Sequence, residues 1–173
     1  MREKPLRPSR IPVPMSEKIK TLEELETRLE AARKQGNKIV FTNGCFDLLH
    51  VGHIRYLQQA RRMGDLLVVG VNSDESVRRL KGPSRPVQPQ ADRGEVLAGL
   101  ECVDYVIFFG QDTPLALIEG LKPDVLVKGA DWPVEQIVGR EAVEGSGGRV
   151  ATIPYVEGVS TSALIERICK ITK

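Results

Sequence analysis

The chain is poor in the residues that carry most side-chain chemistry: it has two histidines, three cysteines, one tryptophan and 5% aromatics in 173 residues. Cys45, Cys102 and Cys169 are widely spaced and odd in number. That argues against a disulfide framework and fits a reducing, cytoplasmic setting. No apolar run approaches the roughly 18 residues of a membrane helix. The basic, proline-containing N-terminus lacks the apolar segment of a secretory signal. A net charge of +2 is too small to point to a nucleic-acid partner. What remains, 41% hydrophobic and 28% charged residues, is the composition of an ordinary globular domain.

Residues 1–15 carry Pro5, Pro8, Pro12 and Pro14 among basic side chains and read as a flexible arm, with residues 16–173 as a single domain. Thr21 and Glu24 have the spacing of a capping box, followed by Leu22, Leu25, Leu29 and Ala32 at helical spacing up to Gly36. From Lys38 onward strand and helix patterns alternate. Strands are expected at Ile39–Thr42, Leu66–Val71, Tyr105–Phe109, Val125–Val127 and Val150–Ile153. Helices are expected around Ile54–Arg62, Glu75–Leu80, Arg93–Leu100, Pro114–Leu121, Glu135–Glu144 and Ser162–Lys170. The strand runs are apolar almost throughout, as parallel strands covered on both faces should be. The expected architecture is therefore α/β: a doubly wound, five-stranded parallel sheet in three α/β/α layers. Such sheets bind ligands beyond the strand C-termini, where the strand order reverses.

The only two histidines lie three residues apart in His50-Val51-Gly52-His53, where the first strand passes through Asn43-Gly44-Cys45-Phe46-Asp47 into a helix. A helix start offers unpaired N–H groups and a positive dipole end, which favour phosphate. Three readings suit paired imidazoles there. They can stabilise charge in nucleotidyl transfer. With Cys45 and Asp47 they can ligate zinc. Or one caps the helix and the other is core. A second feature is the proline-rich loop from Lys81 to Gln90 with Arg85 at its centre, long enough to act as a lid.

The run Phe41-Thr42-Asn43-Gly44-Cys45-Phe46-Asp47-Leu48-Leu49-His50-Val51-Gly52-His53 resembles the signature of the cytidylyltransferase-like nucleotidyltransferases. Lys128-Gly129-Ala130-Asp131-Trp132 is similar to that superfamily's nucleobase-side loop, and Gly158-Val159-Ser160-Thr161-Ser162 to its motif opening the last helix. The runs from Asn72 to Pro83, Leu126 to Asp131 and Val138 to Glu141 resemble the heptose 1-phosphate adenylyltransferases of lipopolysaccharide precursor synthesis, in their stand-alone form. Tyr155-Val156-Glu157-Gly158 and Glu101-Cys102-Val103-Asp104 lack the arginines of the glycerol-3-phosphate cytidylyltransferases, which turns the expectation from CTP to ATP.

The resemblance implies AMP transfer from ATP to a heptose 1-phosphate, giving ADP-heptose and pyrophosphate. It implies His50, His53 and Lys81 as catalytic residues. Thr42, Asn43, Gly44, Cys45, Phe46, Gly129, Asp131, Trp132, Ser160, Thr161 and Ser162 would line the nucleotide, and Arg85 and Lys128 the substrate phosphate. Mg2+ is expected with ATP, with Asp47 either orienting it or capping the helix at His50. A homodimer is implied, without nucleic-acid or membrane partners. The alternatives are transfer to another phosphorylated acceptor, such as glycerol 3-phosphate or phosphopantetheine, and a non-catalytic nucleotide-binding or metal-binding module.

Overall fold

Strands β1 (Ile39–Gly44), β2 (Leu66–Asn72), β3 (Tyr105–Phe109), β4 (Val125–Gly129) and β5 (Arg149–Ile153) pair in parallel in the order β3-β2-β1-β4-β5. The computed structural model describes residues 15–130 and 133–171. From β1 the chain winds outward through β2 and β3, then crosses to β4 and β5. The order therefore reverses between β1 and β4, and their C-terminal ends make the crevice expected of a doubly wound sheet.

Alternate side chains of the same strands feed two separate cores. Val40, Leu67, Val69, Val71, Val106 and Val127 meet Leu57 and Ala60 of α3 (Val51–Arg61) and Leu97 and Ala98 of α5 (Gln90–Ala98). Ile39, Phe41, Val68, Ile107 and Leu126 meet Leu25 and Leu29 of α2 (Leu22–Lys34) and Leu117, Ile118 and Leu121 of α6 (Leu115–Leu121) on the other face. Burying each such side chain contributes roughly 1.5–3 kcal/mol. Both faces are thus covered, which is why the strands read as unbroken apolar runs. The capping box forms as the spacing predicts: Glu24 N donates to Thr21 Oγ1 at 3.3 Å and Thr21 N to a Glu24 carboxylate oxygen at 2.8 Å.

Two expectations need correction. Met15 opens a four-residue helix, α1 (Met15–Lys18), so it does not belong to an irregular arm; the rest of the arm lies outside the described residues. The single helix expected at 135–144 is a 3-10 turn, Val134–Gln136, followed by α7 (Arg140–Gly145). Gly139 at φ +88° separates them, a left-handed conformation that ends one helical run before the next begins. A Cβ there would also collide with Ile118. The remaining helices are α4 (Asp74–Lys81) and α8 (Thr161–Ile171). No described helix is long and apolar enough to cross a membrane.

Candidate active site at the strand crossover

Strand β1 ends at Gly44, and the chain turns through Phe46 in a left-handed backbone conformation (φ +44°) to reach His50, the N-cap of α3. No side-chain hydrogen bond caps α3, so its first-turn N–H groups face outward for an anion. Asp47 therefore does not serve as the cap. At the neighbouring strand end, Lys128 Nζ donates to Asn43 Oδ1, joining β4 to β1 where the order reverses.

The imidazoles of His50 and His53 lie face to face, centroids 3.8 Å apart and planes 19° from parallel. Phe46 meets His53 edge to face at 5.4 Å. Both Nδ1 atoms are buried without a hydrogen-bond partner. Burial holds the His50 pKa below its ordinary value, and burial together with His50 pushes His53 down to about 4. Both rings are thus neutral near pH 7. A neutral imidazole keeps one ring N–H to donate, and Nε2 is the ring nitrogen that is not buried without a partner. Gly52 makes the arrangement possible: a Cβ there would lie 2.9 Å from His50 Nδ1.

Asp47 departs from its expected metal role. Its carboxylate, 1% exposed, accepts Arg85 Nε at 2.6 Å, Val87 N at 2.8 Å and Gln88 N at 2.9 Å. Burial raises its pKa, but the backbone donors and Arg85 outweigh burial and hold it below the ordinary range. A carboxylate with these bonds already made orders the 82–89 loop and is not set to ligate Mg2+. Arg85 gives Nε to Asp47, and its terminal nitrogens take no part in that pair. Lys81, the exposed last residue of α4, carries a positive charge that acts electrostatically on the Cys45 thiol. Burial is the larger influence on Cys45 and raises its pKa, which keeps the thiol protonated.

Arg93 is the residue sequence reasoning missed. It is 1% exposed, and its guanidinium donates to Cys45 O at 2.6 Å, Gln88 O at 3.0 Å and Asp74 Oδ1 at 2.8 Å. One buried cation thereby ties the histidine loop, the basic loop and the start of α4 together. Its sequence signal was a charge at i−4 from Leu97 on the apolar face of α5.

Two other assignments change. Thr42 is fully buried and its hydroxyl pairs with Tyr56 Oη at 2.7 Å, itself a donor to Val127 O, so Thr42 faces the core instead of nucleotide. Phe46, 6% exposed, is also interior, its ring lying against Gly44, where a Cβ would come within 3.1 Å. Gly44 thus makes room for that ring.

The last helix completes the site. Ser160 caps α8, accepting from Ala163 N at 3.1 Å, so capping falls to it and not to Ser162, which is exposed. Thr161 Oγ1 donates to Leu48 O at 3.2 Å, setting the start of α8 beside the histidine loop. Gly129 ends β4 directly beneath the Tyr155 phenol. Asp131 and Trp132 lie outside the described residues. Among the described residues no group of three or more His, Cys, Asp or Glu side chains could hold a metal, which removes the zinc reading for Cys45, Asp47, His50 and His53.

A family model described as Cytidylyltransferase-like matches residues 41–167. The sequence is 58% identical over 151 residues, 87% of the chain, to the bifunctional protein HldE of Syntrophotalea carbinolica. It is 56% identical over 153 residues, 88% of the chain, to that of Geobacter sulfurreducens. Each match covers 31% of the relative, so the chain spans about a third of the length of these curated relatives. Among solved structures, the lipopolysaccharide core biosynthesis protein of Thermoplasma volcanium GSS1 aligns at TM-score 0.58 and 29% identity, covering 70% of this chain and 98% of that one. Pantoate-beta-alanine ligase from Francisella tularensis aligns at TM-score 0.55 and 14% identity over 88% of this chain and 78% of its own, a likeness of fold alone.

Proposed function

This chain belongs to the cytidylyltransferase-like family, and we propose that it is an adenylyltransferase moving AMP from ATP to a heptose 1-phosphate, with an ADP-heptose and pyrophosphate as products. The observation that carries the reading is the pair of neutral, stacked imidazoles at the uncapped start of α3, at the sheet's crossover point. The motifs from Asn72 to Pro83 and around Lys128 support the heptose acceptor, as does the 29% identity to a protein named for lipopolysaccharide core biosynthesis.

In this reading a sugar phosphate oxygen attacks the α-phosphorus of ATP, and the bond from that phosphorus to the bridging oxygen of pyrophosphate breaks. A phosphate monoester is largely ionised at neutral pH, its second pKa being near ~6. No general base is needed to free the nucleophile. The protein's part is alignment and neutralisation of charge moving onto the leaving pyrophosphate. His50 and His53 donate Nε2–H to α- and β-phosphate oxygens. Lys81 offsets the repulsion between those phosphates. The Thr161 and Ser162 backbone at the start of α8 takes the outer phosphates. Gly129 is assigned to the nucleoside side, the role that the resemblance also implies for Asp131 and Trp132, and Arg85 and Lys128 serve the sugar phosphate.

Mg2+ would enter with ATP in this scheme and supply charge neutralisation on the phosphates, and the Asp47 carboxylate, committed to the 82–89 loop, would not be the group that holds it. A homodimer and a cytoplasmic location go with the reading. Helix α8, none of whose described residues is buried, has apolar surface to offer a second copy, and sedimentation velocity tests the dimer. The experiment for function is a pyrophosphate-release assay over ATP, GTP and CTP against heptose 1-phosphates, glycerol 3-phosphate and phosphopantetheine. The reading expects activity with ATP and a heptose 1-phosphate. Nucleotide binding without acceptor-dependent release from any pair would overturn it.

A further inference from the structure

A histidine that works as a donor is usually oriented by a partner on its other ring nitrogen, a carboxylate or a backbone carbonyl. Neither imidazole here has one, because both Nδ1 atoms are buried and unpaired. What holds the rings is therefore packing, and the packing forms a series. Gly44 leaves room for the Phe46 ring, Phe46 meets His53 at 5.4 Å and 61°, His53 stacks on His50 at 3.8 Å, and the His50 ring lies over Gly52. Two glycines thus bracket three rings. Phe46 takes up its place by adopting φ +44°, a conformation most non-glycine residues avoid, and it is buried there. Backbone strain of this kind persists only where the surroundings enforce it.

We propose that Phe46 is a positioning residue for the catalytic pair: packed between Gly44 and His53, it fixes the direction in which both imidazole donors point. It touches no nucleotide; it acts through His53. The inference rests on the adenylyltransferase reading for its kinetic consequence, but the stack itself can be observed without any substrate. The charged groups of the neighbouring segments, Asp47, Lys81, Arg85 and Arg93, act on the Cys45 thiol, whereas among the described residues it is His50, when protonated, that lowers the His53 pKa further. Loss of the Phe46 ring should therefore register on His53 mainly through solvent access.

Two variants test this from opposite ends of the stack. Phe46→Leu keeps an apolar side chain on the same backbone but removes the ring. Gly52→Ala puts a Cβ where the His50 ring lies and leaves Phe46 untouched. Because the chain has two histidines, proton NMR titration of the full-length protein resolves their ring signals with little overlap. In Phe46→Leu the His53 signal should titrate well above the wild-type value of about 4, towards 6.5. Its kcat should fall about tenfold or more, the scale of misplacing a reacting group, while KM for ATP stays within about twofold. Gly52→Ala should likewise depress kcat and move the His50 titration. A folded Phe46→Leu protein with both titrations and kcat unchanged would overturn the proposal. If Phe46→Leu fails to fold, Gly44→Ala takes its place, since its Cβ would press on the Phe46 ring at 3.1 Å, and unchanged titrations and kcat there would overturn the proposal equally. Should the wild-type protein release no pyrophosphate with any acceptor, the functional reading falls, and the titrations still decide the stack.

Discussion

The hydroxyl of Thr161 donates to the carbonyl of Leu48 across 3.2 Å, and this bond sets the start of α8 beside the start of α3. Two helix N-termini thereby converge on the crevice between β1 and β4. Their dipoles and unpaired N–H groups favour the same polyanion. Thr161→Val keeps the shape of the side chain and removes the donor. Losing one hydrogen bond worth about 1 kcal/mol should raise KM for ATP by roughly fivefold with little change in melting temperature. Steady-state kinetics with varied ATP check it.

His53→Ala removes a donor aimed at the reacting phosphates and should lower kcat by ~10²–10³. Pyrophosphate release at saturating ATP measures this, and near-normal turnover would count against the assigned role.

The depressed pKa of His53 also links stability to pH. Its folded value, about 4, lies below its ordinary 6.5, so between those values the unfolded chain binds more protons than the folded one. Stability should hold above about pH 6.5 and decline as pH falls from there towards 4. In His53→Gln that part of the decline should disappear. Urea unfolding at a series of pH values shows whether it does.

Asp47→Asn leaves the Arg85 guanidinium without its counter-charge and weakens the grip on the Val87 and Gln88 amides. Those two amides should lose hydrogen-exchange protection and turnover should drop, while the Mg2+ concentration for half-maximal activity stays unchanged. A large rise in the Mg2+ requirement would restore Asp47 as a metal ligand.

Arg93→Met should cost about 3–5 kcal/mol, the scale of breaking a buried ion pair, because Asp74 and the Cys45 and Gln88 carbonyls all lose their donor. Arg79→Met, at an exposed pair with Asp112, should cost under about 1 kcal/mol. Cys45→Ser should fold and largely retain turnover, since the Arg93 bond uses the backbone carbonyl of Cys45 and not its thiol.

The parts legible in sequence were those written in local pattern. The alternation of apolar runs gave the strands and both covered faces, and the spacing from Gly44 to His53 placed the imidazoles at a strand–helix junction. The inward turn of the Thr42 and Phe46 side chains, to Tyr56 and Gly44, could not be read from the motif, because a run of motif residues does not say which side chains enter the core. Asp47 and Arg93 act through partners about 40 residues away in the chain, which no window of sequence brings together. Gly139 was read inside a helix because periodicity registers which residues are apolar but not a reversal of φ.

In the proposed reaction the two imidazoles hold the phosphates as the α-phosphorus changes partners. The most direct measurement is the structure of the protein with a non-hydrolysable ATP analogue and a heptose 1-phosphate bound. In that complex His50 Nε2 and His53 Nε2 should each lie within about 3.2 Å of an α- or β-phosphate oxygen, with the stack intact. Rings turned away from the phosphate chain in that complex would contradict it.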